Sequence, residues 1–267
     1  MKEIFFVGGL PRSGSTLLMN LIAQNEDVFC TPTSGLPNLL NNIKTSWSNI
    51  LEHRADKNAA ADENLKRTLN TVFYNYHNTE KSFVFDKSRA WSHNIEMIEA
   101  ITNKKVKIIA PVRDIKDILS SFESLYRKGS YKFEPQGPMP QCLTTEGRIQ
   151  HWGSLQGEVG AAYAILKDSF LRGYSDRFLL VDYDFLTHNP KYVMDKIWEF
   201  LGIPKIEHDF NNIINKTPED DTVYNYVNLH KIKNSIIPSK SKAIEVLGND
   251  ICKTLQGYEF WKNLAKY

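Results

Sequence analysis

The chain has 267 residues, a length that suits one large α/β domain or two small ones. Its formal charge of +2 and pI near 8.3 lack the large, clustered basic excess that phosphate backbones select, so no nucleic-acid partner is expected. Cys30, Cys142 and Cys252 lie far apart with no CxxC pair, which argues against a zinc site or a disulfide framework and for reduced thiols.

Lys2 is the one basic residue before a short apolar run that meets Gly8-Gly9. The run is too short for a signal h-region or a spanning helix, so a cytoplasmic protein without membrane attachment is expected. Within it, Ile4 to Val7 is continuously apolar and ends at glycine, the pattern of a central parallel strand covered on both faces. After a loop, Leu17, Leu18, Leu21 and Ile22 recur at helical spacing until Gln24-Asn25 closes the segment. Helical patterns then run through Asn64 to Tyr76, Asn94 to Ile101, Ile115 to Tyr126, about Glu146 to Leu171, and Lys191 to Leu201 before Gly202 and Pro204. Interleaved with them are strand patterns at Phe83 to Phe85, Val106 to Ala110 and Phe178 to Val181. That alternation predicts an α/β, three-layer, P-loop-containing fold with a central, mostly parallel sheet, formed as a single domain over 1–267. Gly129 to Thr144, with Gly137, Pro138 and Pro140, is the clearest loop, either a substrate lid or a surface connection.

Gly9-Leu10-Pro11-Arg12-Ser13-Gly14-Ser15-Thr16 has P-loop spacing, but Ser15 stands where a nucleoside-triphosphate loop places its lysine. Backbone N–H groups at the start of the following helix still make an anion cradle, and Arg12 supplies a cation from inside the loop. This lysine-free loop, written PRSGST, resembles the donor loop of sulfotransferases that use 3′-phosphoadenosine 5′-phosphosulfate, especially the tyrosylprotein sulfotransferases and related bacterial and phage proteins. The resemblance implies that Arg12, Ser13, Gly14, Ser15 and Thr16 hold the 5′-phosphosulfate.

Such a donor carries a second phosphate, so a second anion site is required. The strand ending at Ala110 runs into Pro111-Val112-Arg113-Asp114, and Ser121 follows eight residues after Arg113 on the next helix. An arginine fork and a hydroxyl so placed converge on one phosphate, although Arg113 paired with Asp114 or Asp117 is the plainer alternative. The run VRDIKDILSSF resembles the family's 3′-phosphate motif, which carries Arg113 and Ser121 into that role. Val181-Asp182-Tyr183-Asp184-Phe185-Leu186 resembles the segment in which a tyrosine approaches the nucleotide, which points to Tyr183. Leu229-His230-Lys231-Ile232-Lys233 falls where relatives close a basic loop over it. Asp86 or Asp182 could instead mimic the magnesium-binding aspartate of an NTPase.

Sulfuryl transfer needs cations and amides around the leaving phosphate, and no metal is expected. Lys87 follows the strand Phe83 to Phe85, at the carboxyl end where open α/β sheets bind ligands. Phe85-Asp86-Lys87-Ser88 looks like the catalytic Lys-Asp segment of the tyrosylprotein enzymes, which implies that Lys87 is catalytic together with Arg12. Those enzymes carry a Glu base after the first helix, whereas this chain reads Cys30-Thr31-Pro32-Thr33-Ser34-Gly35 there. His93, Glu123, His53 and His151 are then the candidate bases. The expected activity is sulfuryl transfer to a hydroxyl or amine of a small-molecule, glycan or peptide acceptor, with a P-loop kinase or NTPase as the alternative.

Overall fold

The computed structural model describes residues 2–56, 60–131 and 140–263. Five strands, β1 (Glu3–Val7), β2 (Val28–Thr33), β3 (Phe83–Lys87), β4 (Ile108–Val112) and β5 (Phe178–Asp182), form one all-parallel sheet in the order β2-β3-β1-β4-β5. Parallel neighbours require crossovers, and helices supply them: α1 (Ser15–Ile22), α2 (Leu36–Asn49), α3 (Leu51–Ala55), α4 (Ala60–Asn75), α5 (Ile95–Thr102) and α6 (Ile115–Arg127) lie between the first four strands and after them. Beyond them come α7 (Thr145–Gly153), α8 (Glu158–Leu171), α9 (Tyr183–His188), α10 (Pro190–Leu201), α11 (Ala243–Leu247) and α12 (Asn249–Thr254).

Strand alternation splits the core into two layers. Phe6, Ile108, Ala110 and Val112 pack on one face against Leu69 and Phe73 of α4, Ile95 and Ile98 of α5, and Ile118 and Phe122 of α6. Phe5, Val7 and Ile109 pack on the other against Leu18, Met19 and Ile22 of α1 and Met194, Ile197 and Trp198 of α10. An eight-residue helix such as α1 is marginal alone. Burial worth about 1.5–3 kcal/mol per large apolar side chain fixes it instead, and with it the position of its N-terminus.

The sheet runs as the apolar pattern predicts, with β4 shifted from the expected Val106 to Ala110 to Ile108–Val112 and with two further departures. Val28–Thr33 is a strand although it contains Pro32, because β2 is a sheet edge where a missing N–H costs no ladder bond. The single helix expected over Glu146 to Leu171 is two helices broken at Ser154 to Gly157. Gly157 and Gly160 permit the break, since a Cβ on either would lie 2.2 Å from His151 O or 2.1 Å from Ser154 O. Of the expected lid or connection, 132–139 lies outside the described residues, and Ser130 O accepts from Val227 N at 2.7 Å. No described helix is long and apolar enough to cross a membrane.

Candidate active site

The carboxyl ends of β1, β3 and β4 open on a cavity of about 580 Å³. Gly9 lets the loop after β1 hug β4, because a Cβ there would sit 2.2 Å from Pro111 O, and Leu10 N donates to that same carbonyl at 2.8 Å. Arg12 and Gly14 both adopt left-handed backbone, with φ of 56° and 80°. Gly14 begins α1 with no side-chain cap, and no acidic residue lies in the first turn. The first N–H groups of α1 are therefore left for an anion.

Gly14, Ser15 and Thr16 line the cavity with Arg12, whereas Ser13 is buried and turns its hydroxyl to Pro11 O at 3.3 Å. Arg12 reaches across the loop: its Nε donates to Ser121 Oγ at 3.0 Å and its Nη1 to Leu229 O. The loop, α6 and the C-terminal segment meet through that one side chain. Arg113 lies at the end of β4 with its guanidinium 4.6 Å from the centre of the Tyr183 ring, and its Nη1 donates to Arg12 O at 3.4 Å. Its Nε is buried without a hydrogen-bond partner, 4.0 Å from Asp184 Oδ1. Burial, then the neighbouring charge of Arg113, holds the Arg12 guanidinium below its ordinary value. Such an excess of positive charge favours an anionic ligand.

Lys87 ends β3, and its Nζ lies 2.5 Å from Glu219 Oε1, both side chains being nearly enclosed. Burial opposes ionisation of Glu219, but the Lys87 charge prevails and leaves the carboxyl below its ordinary value. Beside it, His230 Nδ1 lies 2.5 Å from Asp221 Oδ1 and 3.7 Å from Glu219 Oε2, and His230 N donates to Asp221 Oδ2 at 3.0 Å. A neutral histidine whose Nδ1–H is held by a carboxylate keeps Nε2 as an acceptor.

The segment carrying these residues has little regular structure, and α1 anchors it. Asn20, buried within α1, donates to Thr217 Oγ1 at 3.2 Å and accepts from Lys216 N at 2.5 Å. Lys216 Nζ also donates to Ala23 O at 2.7 Å. Helix α1 thus sets the height at which Glu219 meets Lys87. His230 to Lys233 line the cavity.

The four candidate bases lie elsewhere. Glu123 is fully buried and pairs with Arg148 and Arg127 at 2.8 Å each, a structural ion cluster beneath α6 and α7. His53 stacks on Trp47 with ring centres 3.9 Å apart, His93 is an exposed residue at the end of a 3₁₀ turn, and His151 lies in the last turn of α7. None of them is among the described residues that line the cavity. Asp86 is enclosed, with Ser34 Oγ and Trp91 Nε1 donating to it at 2.7 Å and His77 Nε2 lying 2.9 Å from its Oδ2, while Asp182 caps α9 by accepting from Phe185 N at 2.9 Å. Glu219 and the Asp221–His230 pair are the site groups that motif spacing missed as chemistry.

Residues 5–208 match the model of a family described as the sulfotransferase family. No significant match was found among curated proteins. Similar solved structures include the sulfotransferase domain from the curacin biosynthetic pathway (TM-score 0.58, 16% identity, 100% of this chain and 99% of that one). Mouse sulfotransferase SULT7A1 complexed with PAP (3′,5′-adenosine bisphosphate) aligns at TM-score 0.53 and 15% identity, over 100% of this chain and 86% of that one. The sulfotransferase domain from the Synechococcus PCC 7002 olefin synthase aligns at 0.52 and 18%, over 90% and 86%. At these identities the likeness concerns the fold.

Proposed function

This chain belongs to the sulfotransferase family, and on that premise we propose that it moves the sulfuryl group of 3′-phosphoadenosine 5′-phosphosulfate to a hydroxyl or amine of a small-molecule acceptor. The observation that carries the donor assignment is the uncapped N-terminus of α1 facing Arg12 and Arg113, with a buried Arg113 Nε left unpartnered. Gly14, Ser15 and Thr16 would cradle the 5′-phosphosulfate, and Arg113 with Ser121 would take the 3′-phosphate, displacing Arg12 from the serine it now holds. Tyr183, stacked on Arg113, would flank the nucleotide. A P-loop kinase or NTPase is not favoured, since Ser15 replaces the lysine and Asp86 is engaged by Ser34, Trp91 and His77.

In this reading His230 is the base. Asp221 fixes its tautomer, so Nε2 accepts the proton as the acceptor oxygen or nitrogen bonds to sulfur and the bond from sulfur to the phosphate oxygen breaks. Lys87 stabilises the negative charge gathering on that phosphate oxygen, aided by Arg12. Glu219 neutralises Lys87 and holds its Nζ in place at the end of β3. The three cysteines are buried free thiols, which fits the reducing cytoplasm.

Incubation with sulfur-labelled donor and a metabolite extract tests the reaction. A labelled organic product formed by wild type and lost in Lys87→Ala is expected. Transfer instead from γ-labelled ATP would assign the chain to the kinases.

A further inference from the structure

We propose that the acceptor is a hydroxy acid, or an amino acid in the same sense, whose carboxylate is recognised by Arg89; the proposal rests on the sulfotransferase reading above. The sheet order divides the cavity. Arg113 at the end of β4 and Tyr183 after β5 lie on one side of the β1 loop, where the nucleotide belongs, and β3 lies on the other. The sulfuryl group must therefore face Lys87, and the acceptor must approach over β3.

Arg89 stands there, two residues past Lys87, at the start of a 3₁₀ turn fixed by Ser88, whose hydroxyl accepts from Ala90 N at 3.4 Å. It lines the cavity and remains exposed to it. Of the other cations at the strand ends, Lys87 is paired with Glu219, Arg12 with Ser121 and Leu229, and Arg113 stacks on Tyr183, while Lys231 and Lys233 line the cavity from the C-terminal segment. Arg89 donates from Nη1 to the main-chain oxygen of Glu158 at 3.2 Å, and among the described residues no carboxylate comes within 4.0 Å of it. The Glu158 carboxylate is used elsewhere, accepting from Tyr226 Oη at 3.2 Å. Crowding by protein lowers the Arg89 guanidinium below its ordinary value, against the opposing pull of Glu158.

A planar fork with free N–H groups in a partly shielded pocket matches a carboxylate. Glu158 close by penalises a dianion, which favours a singly charged carboxylate over a phosphate monoester. Tyr224 and Tyr226 line the same end and provide an aromatic wall for the body of the acceptor. An amide of the same shape would leave Arg89 without its anion.

Dissociation constants for a panel of aromatic and aliphatic hydroxy acids and their primary amides, measured on the PAP-saturated protein, test this. The acids that bind should do so roughly tenfold or more tightly than their amides, the scale of a charged hydrogen bond. In Arg89→Gln that preference should vanish while PAP affinity stays at the wild-type value. Equal binding of acids and amides, binding by neither, or a preference that survives Arg89→Gln would overturn the proposal. A loss of PAP affinity in Arg89→Gln would reassign Arg89 to the donor. Failure of the wild-type protein to bind PAP would instead overturn the sulfotransferase reading on which the proposal stands.

Discussion

His230 and Lys87 occupy one cavity wall but are held by different acids, and the two pairings assign them different work. Asp221 grips the imidazole at 2.5 Å through Nδ1, an orienting contact, while Glu219 neutralises Lys87 at the same distance. His230→Asn should leave PAP affinity intact and lower turnover by about 10²–10⁴-fold, the usual contribution of a general base, once an acceptor is in hand. Asp221→Asn should lower turnover less, because the imidazole loses the carboxylate that orients it. Unchanged turnover in His230→Asn would pass the role of base to Glu219. The strand-end residues were legible from sequence: Arg12, Ser15, Thr16, Lys87, Arg113 and Tyr183 each lie at or just past the carboxyl end of an apolar strand, and all line the cavity. Ser121 was placed by spacing, and its hydroxyl accepts from Arg12 Nε. Glu219 and Asp221 were not legible. They sit in Pro218-Glu219-Asp220-Asp221, without periodicity, 132 residues from Lys87, and contacts of Asn20 and Ala23 with Lys216 and Thr217 bring them in.

The β1–α1 unit depends on close approach of backbones. A methyl group on Gly9 would sit 2.2 Å from Pro111 O and 2.7 Å from Pro111 N, and no side-chain rotation relieves a clash with backbone. Gly9→Ala should therefore lower stability by about 1–3 kcal/mol, the cost of overpacking, and weaken PAP binding as the loop lifts from β4. Denaturant unfolding beside a PAP titration reads both; a variant equal to wild type in each would contradict the packing of this loop. The same reasoning explains which elements were misread. No strand was read over Val28–Thr33, a short edge segment interrupted by Pro32, and Gly153, Gly157 and Gly160 were passed over inside an apolar helical pattern. Strand alternation, by contrast, is strong enough to give the parallel α/β class from sequence, because buried central strands leave long apolar runs.

Across the whole molecule, carboxylates held by buried cations set the response to acid. Glu219 beside Lys87 and Glu123 beside Arg148 are both depressed, burial opposing and the cation outweighing it. A carboxyl depressed in the folded state stabilises fully above its unfolded value and loses that contribution as pH falls through the folded one. Stability should thus be flat near neutrality and decline below the ordinary glutamate value of 4.5. Glu219→Gln should be less stable at neutral pH, with Lys87 left buried and unpaired, and should show a shallower decline between about pH 5 and pH 3. An equally steep decline in the variant would remove Glu219 from the acid response. The proposed function rests on one claim, that the ligand carries phosphate groups at both the 3′ and the 5′ positions of its ribose. Calorimetric titration with PAP, 5′-AMP and Mg-ATP tests it most directly. PAP should bind, 5′-AMP should bind weakly for want of the 3′-phosphate, and Arg113→Ala should cost PAP about 1.5–3 kcal/mol while leaving 5′-AMP unaffected. Binding of Mg-ATP with no measurable affinity for PAP would contradict the account.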